Sequence, residues 1–237
     1  MATKLLPALQ TAPGDLTSNT AVPMTEIGTY IVTDDGRGFR YVYAGGTALV
    51  PGKLQQAAAE VTANENLACA AAAIGATTVT TTSTVTVTAN QYAGGWLVVT
   101  VTPGQGYQYK IKSHPAATAA ALTLTLEDPI QVALTTSSRV DLVANPYMGV
   151  IVNPTTATGA PVGVAVYPIT ANYYGWIQTH GPANVLADGA VTVGTNLVAS
   201  NGVAGAVEPL AGVQASIGIA MTGIADTEYG TVFLTLD

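Results

Sequence analysis

Two histidines, His114 and His180, and one cysteine, Cys69, are the side chains that catalysis or metal binding would use first in this chain. The histidines lie far apart, and neither belongs to an HExxH pair or a Cys/His array, so their spacing offers no zinc site. Ser113 and His114 are immediate neighbours whose side chains would point to opposite faces of a strand, and no GxSxG occurs. A nucleophilic triad has no support. Each histidine reads as a structural or interface residue. Cys69 sits in Leu67-Ala68-Cys69-Ala70-Ala71 with no His or Lys nearby in sequence to favour a thiolate, so it reads as a small buried hydrophobe. A lone cysteine allows no intrachain disulfide.

The adjacent carboxylates are Asp34-Asp35-Gly36 and Glu127-Asp128. Alternating acidic ligands closing on a Glu are missing, and Asp-Gly is first of all a turn former, so calcium is not the expected use. Two separated carboxylates facing one cleft, as glycoside hydrolysis needs, cannot be read from the pattern. Gly36-Arg37-Gly38 and Gly104-Gln105-Gly106 do not complete GxGxxG or enter a helix, which leaves no phosphate cradle. More informative is the aromatic group Tyr167, Tyr173, Tyr174 and Trp176, with His180 close behind. Stacked Tyr and Trp anchor protein interfaces or bind sugar rings. Core or interface packing is the preferred reading, with glycan binding left open. These five are the candidate interface residues; no catalytic, metal or cofactor residue is assigned, and an enzyme is not expected.

Only 9% of the chain is charged while 49% is apolar, against about a quarter charged in an ordinary soluble domain. A free monomer of 237 residues needs more solvated side chains than that. Either Thr, Ser, Asn and Gln carry the surface or much of it is buried against other subunits, and both are expected. The formal charge of −7 has the wrong sign for gripping phosphates, so nucleic acid is not an expected partner. The most apolar run, residues 67–76, falls short of the ~20 residues that span a bilayer, and no membrane partner is expected. Met1-Ala2-Thr3-Lys4-Leu5-Leu6-Pro7 lacks the features of a secretory signal, so cytoplasmic synthesis and folding are expected.

Strands account for almost everything that would position these residues. Residues 1–29 hold Pro7, Pro13 and Pro23 without periodicity and read as an extended N-terminal arm, dispensable for folding. Two β-prone runs around Asp34-Asp35-Gly36-Arg37-Gly38 predict a hairpin. Residues 53–61, rich in Ala, Gln and Leu, predict one short helix. From 66 to 144, Thr and Val alternate with the two-residue period of half-buried strands, as in Leu122, Leu124 and Leu126 against Thr123 and Thr125. This stretch reads as an inserted antiparallel β module within a main barrel or sandwich formed by 30–65 and 145–237. Asp188-Gly189 and Asn201-Gly202 predict further hairpins. The fold class is all-β.

Tyr173-Tyr174-Gly175-Trp176-Ile177-Gln178-Thr179-His180-Gly181-Pro182-Ala183, continuing through Val185-Leu186-Ala187-Asp188-Gly189 and ending in Thr231-Val232-Phe233-Leu234-Thr235-Leu236, resembles the C-terminal β domain of tailed-bacteriophage capsid decoration, or cement, proteins. Gly38-Phe39-Arg40-Tyr41-Val42-Tyr43-Ala44-Gly45-Gly46 and Tyr147-Met148-Gly149-Val150-Ile151 extend the resemblance to both ends of the chain. It implies a structural virion protein without catalytic motif or cofactor. It further implies a homotrimer that binds the major capsid protein and neighbouring decoration subunits on the outside of an expanded shell, with the arm ordering on a neighbour. A tail-fibre or spike module, host-facing and able to bind glycans, is the competing expectation; a virion hydrolase or lyase is a poorer one.

Overall fold

The computed structural model describes residues 16–212 and 214–237. Strands hold 43% of the residues, and among those described no α-helix forms; helical structure is limited to 3-10 turns such as Thr62–Asn64. The chain is all-β. It divides into two compact units, one built from the chain up to Ala58 and from Pro146 to Asp237, the other from Ala59–Asn145.

The first unit opens with β1 (Tyr30–Val32), β2 (Gly38–Ala44) and β3 (Leu54–Gln56). The second contributes β4 (Leu67–Ala68), β5 (Thr78–Thr82), β6 (Thr86–Val87), β7 (Trp96–Val101), β8 (Gln108–Ser113), β9 (Ala117–Thr118), β10 (Ala121–Leu126) and β11 (Arg139–Val143). The chain then returns to the first unit as β12 (Met148–Val152), β13 (Pro161–Ala165), β14 (Tyr174–Leu186), β15 (Asn196–Ala199), β16 (Val207–Pro209), β17 (Gly218–Ala220) and β18 (Tyr229–Thr235).

Within the second unit, six strands run in the order β4-β11-β7-β8-β10-β5, and the ring closes where Cys69 bridges to Thr81. Alternation decides what goes inside. Leu122, Leu124 and Leu126 of β10, Tyr109 and Ile111 of β8, and Leu97 and Val99 of β7 are all buried in one cluster. Outside, Thr80 and Thr123 stand opposite each other in register and share a hydrogen bond of 3.0 Å. Threonine serves both needs of such a strand: its branched Cβ suits the pleat and its hydroxyl suits water. A buried polar network props the unit internally. The Asn64 amide donates to the Tyr92 hydroxyl at 2.7 Å, and the Ser83 hydroxyl donates to Asn64 Oδ1 at 2.8 Å. His114 Nε2 accepts the Tyr92 amide at 2.9 Å, so the ring proton sits on Nδ1 and is donated to the Pro115 carbonyl at 2.8 Å.

The first unit is a ten-stranded sheet in the order β1-β2-β12-β3-β13-β14-β18-β17-β15-β16, with an additional pairing of β2 to β14. That pairing closes β2, β12, β3, β13 and β14 into a ring, antiparallel except for β2 with β12. Val42, Ala44, Val150, Ala165 and Ile177 from these strands form one buried cluster. The far end of β14 runs on beside β18, and the Ala187–Val207 bridge brings β16 back against it, closing a second ring. Val185, Leu197, Val207, Val232 and Leu234 fill the core there. Strand order therefore removes most free edges, which would otherwise invite promiscuous pairing.

Three sequence expectations need correction. The helix expected at 53–61 is absent: Leu54, Gln55 and Gln56 are fully buried as β3, with β12 and β13 on its two sides. Ala and Gln propensity is worth tenths of a kcal/mol per residue, and a nine-residue helix is marginal without a face to bury, so the central strand position wins. Asp188-Gly189 is a corner and not a hairpin, because β14 pairs with β18 and not with β15. Asp188 Oδ2 accepts the Ser200 hydroxyl and the Gly189 amide donates to Asp226, which holds the corner open. The arm is the third case. Residues 1–15 lie outside the described residues, but Leu16 is buried against Ile31, Phe39, Tyr41 and Trp176, and Thr20 exchanges both backbone hydrogen bonds with Tyr174. The later half of the expected arm is thus part of its own domain. The hairpin at 34–38 forms as read, Val32 pairing with Gly38 across a turn in which Gly36 has φ +81°.

Two outcomes follow. Deleting residues 1–29 is expected to lower the urea midpoint of the first unit, since it strips Leu16 and the Thr20 pairing from the Trp176 cluster; an unchanged midpoint would show that the segment adds nothing. His114→Ala is expected to cost about 1–3 kcal/mol by orphaning the buried Tyr92 amide, read as a lowered unfolding midpoint.

Candidate functional site

Four of the five candidate residues lie on or next to the first half of β14, and register with β2 explains how they group. Tyr174 stands opposite Tyr43 and Trp176 opposite Tyr41. The four rings form a ladder, with centroids 4.8 Å apart for Tyr43 and Tyr174, 6.0 Å for Tyr174 and Tyr41, and 4.9 Å for Tyr41 and Trp176. Each such contact contributes about 0.5–1.5 kcal/mol beyond burial alone. The Met24 amide donates to the Tyr41 hydroxyl at 3.0 Å, tying the incoming chain to the same ladder. Burial pushes the Tyr174 phenol above its ordinary pKa, and the neighbouring Tyr43 and Tyr41 add to the shift.

Trp176 is therefore not a surface anchor. It is 3% exposed, and its indole nitrogen is buried, so it cannot stack on a ligand from solution. Its register opposite Tyr41, under Leu16, accounts for this correction. Tyr173 is half-buried and packs on the first ring's core. Tyr167 is 42% exposed beyond the end of β13, apart from the ladder contacts. His180 stands edge-on to Phe233 at 5.2 Å, and its Nδ1 is buried without a protein hydrogen-bond partner. The five residues thus divide between core and surface.

Tyr41, Tyr43 and Phe233 complete these contacts and were not singled out from the sequence. The signal was present as alternation: in Phe39-Arg40-Tyr41-Val42-Tyr43 the aromatics take one face and Val42 the other. Beside the ladder, Pro23, Met24, Thr25, Glu26, Ile27 and Tyr174 line an open groove of about 500 Å³.

The remaining polar candidates have structural occupations. The Thr33 hydroxyl and the Arg37 guanidinium, the latter 2.7 Å away, hold the Asp35 carboxyl below the usual carboxylate range, as a turn would. Glu127 meets Lys110 at 3.2 Å on the exposed face of the second unit. Burial pushes the Cys69 thiol above its ordinary pKa, away from thiolate chemistry. Among the described residues no group of three or more His, Cys, Asp or Glu could hold a metal ion, and no helix is long and apolar enough to cross a membrane. Compared with protein-family models, with curated proteins and with solved structures, the chain matches none.

The division of the five residues can be measured by urea unfolding. Trp176→Ala is expected to destabilise the first unit by about 3–5 kcal/mol, whereas Tyr167→Ala stays within about 0.5 kcal/mol. Equal effects would contradict the assignment of one to core and the other to surface.

Proposed function

We propose that the chain is a structural virion protein that binds the outer surface of a tailed-phage capsid as a homotrimer, contacts the major capsid protein and neighbouring decoration subunits, and stabilises the shell. One observation carries the reading. On a chain with only 9% charged residues, large apolar side chains stand in solvent, among them Val22 at 72% exposure, Val193 at 68% and Met24 at 53%. Such a surface costs an isolated monomer solubility, and a subunit of a lattice covers it. The closed rings fit the same use. With most edges consumed internally, contact between densely arrayed copies is left mainly to side-chain faces and not to unplanned strand pairing.

Incubating the protein with expanded, undecorated capsids is the direct test. The expected result is saturable cosedimentation at a fixed copy number, density on the outer shell by cryo-EM, and capsids that withstand higher temperature. Deleting residues 1–15 is expected to weaken binding, read by the same cosedimentation, while the full chain saturates the shell. Density on tails alone would replace this reading with the tail-fibre or spike module.

A further inference from the structure

The second ring turns an uncharged face to solvent. Pairing sets Pro182 of β14 opposite Phe233 of β18, and Phe233 opposite Ile219 of β17, so the three form one row across the sheet. In the next row Asn184 lies opposite Thr231, whose carbonyl accepts the Met221 amide at 2.9 Å. The intervening residues Ala183, Val232 and Ala220 are buried in the ring core, which forces these two rows outward. Ile219 is 43% and Met221 46% exposed, and His180 braces the Phe233 ring from its edge. No carboxylate or cation belongs to either row.

The surroundings narrow the occupant. From residue 146 to the C-terminus the first unit contains no Lys or Arg, while Asp188, Glu208, Asp226 and Glu228 are acidic and Asp237 is paired with Arg40. A basic partner would be drawn to those carboxylates and not to the neutral rows, and an acidic partner would be repelled. What fits is a partner as poor in charge as the face itself, and this chain, at 9% charged, is one. Two copies of net charge −7 can approach closely only through neutral surface, which these rows supply.

We propose that a second copy of this chain docks on the outer face of β14, β18 and β17, with Phe233 and Ile219 at the centre of the contact. The proposal rests on the homo-oligomer in the reading above and assigns its surface. A specific interface takes roughly 20–30 residues a side, so the two rows are its core, and the sheet continues from Ile219 to Asn196 and on to Leu210 on the same side.

Sedimentation velocity on the full chain at micromolar concentration tests it, with Ile219→Glu placing a charge at the centre and Ile74→Glu making the same change on the other unit. Ile219→Glu is expected to weaken association by about 30-fold or more, and Ile74→Glu by less than about threefold. Far-UV spectra and urea midpoints check that the variants fold, and Met221→Lys gives a second reading should Ile219→Glu not fold. A wild-type chain that remains at 23.9 kDa overturns the proposal together with the oligomer it rests on. A wild-type oligomer that Ile219→Glu and Met221→Lys leave equally tight overturns the face alone.

Discussion

The thirteen residues of β14 must serve two rings at once, and their backbone hydrogen bonds do so by changing partner part-way along. As far as Gln178 the strand pairs with β2; from His180, registered against both Gly38 and Thr235, it pairs with β18. Gly181 follows with φ +84°, in the left-handed region where a side chain is disfavoured, and a Cβ there would lie 3.3 Å from Arg37 Cγ. The inward face changes accordingly, from Ile177 in the first ring's cluster to Ala183 and Val185 in the second. Everything else in the unit, including the aromatic ladder on one half and the neutral face on the other, takes its orientation from this one strand.

Charge contributes little to this arrangement, and where it appears it is concentrated. Arg40 donates to both carboxylate oxygens of Asp237 at 3.0 Å and to the Gly28 carbonyl at 2.8 Å, and its guanidinium lies over the rings of Tyr30 and Tyr147. A planar fork can meet all of these at once; a lysine could not. The Asp35–Arg37 and Lys110–Glu127 pairs are far more exposed and contribute little. The fold is held by buried aliphatic and aromatic faces and by ladder hydrogen bonds.

How far the sequence foretold this varies with the physics involved. Two-residue alternation is local, so the strands of the second unit were readable from Leu122, Leu124 and Leu126, and the β1–β2 hairpin from Asp34-Asp35-Gly36. Ring closure is not local. Nothing in Cys69 or Thr81 announces that they meet, or that the strand ending before Asp188-Gly189 pairs with β18 and not with the next strand in sequence. The helix expected at 53–61 failed for a related reason, because intrinsic propensity was weighed without the β12 and β13 edges that claim Leu54 to Gln56. The aromatic residues were visible as a group, yet only pairing with β2 separates Trp176 in the core from Tyr167 in solvent.

The second unit leaves the first after Ala58 and rejoins it at Pro146, and Ala58 packs against Gly149 close to the point of return. The excursion thus begins and ends at neighbouring points on a scaffold whose two rings use no strand from it. What fills the gap between Ala58 and Pro146 is therefore free to change length and sequence, provided its own ends meet. A lineage carrying this scaffold can exchange the inserted module wholesale while keeping the strands of both rings unaltered.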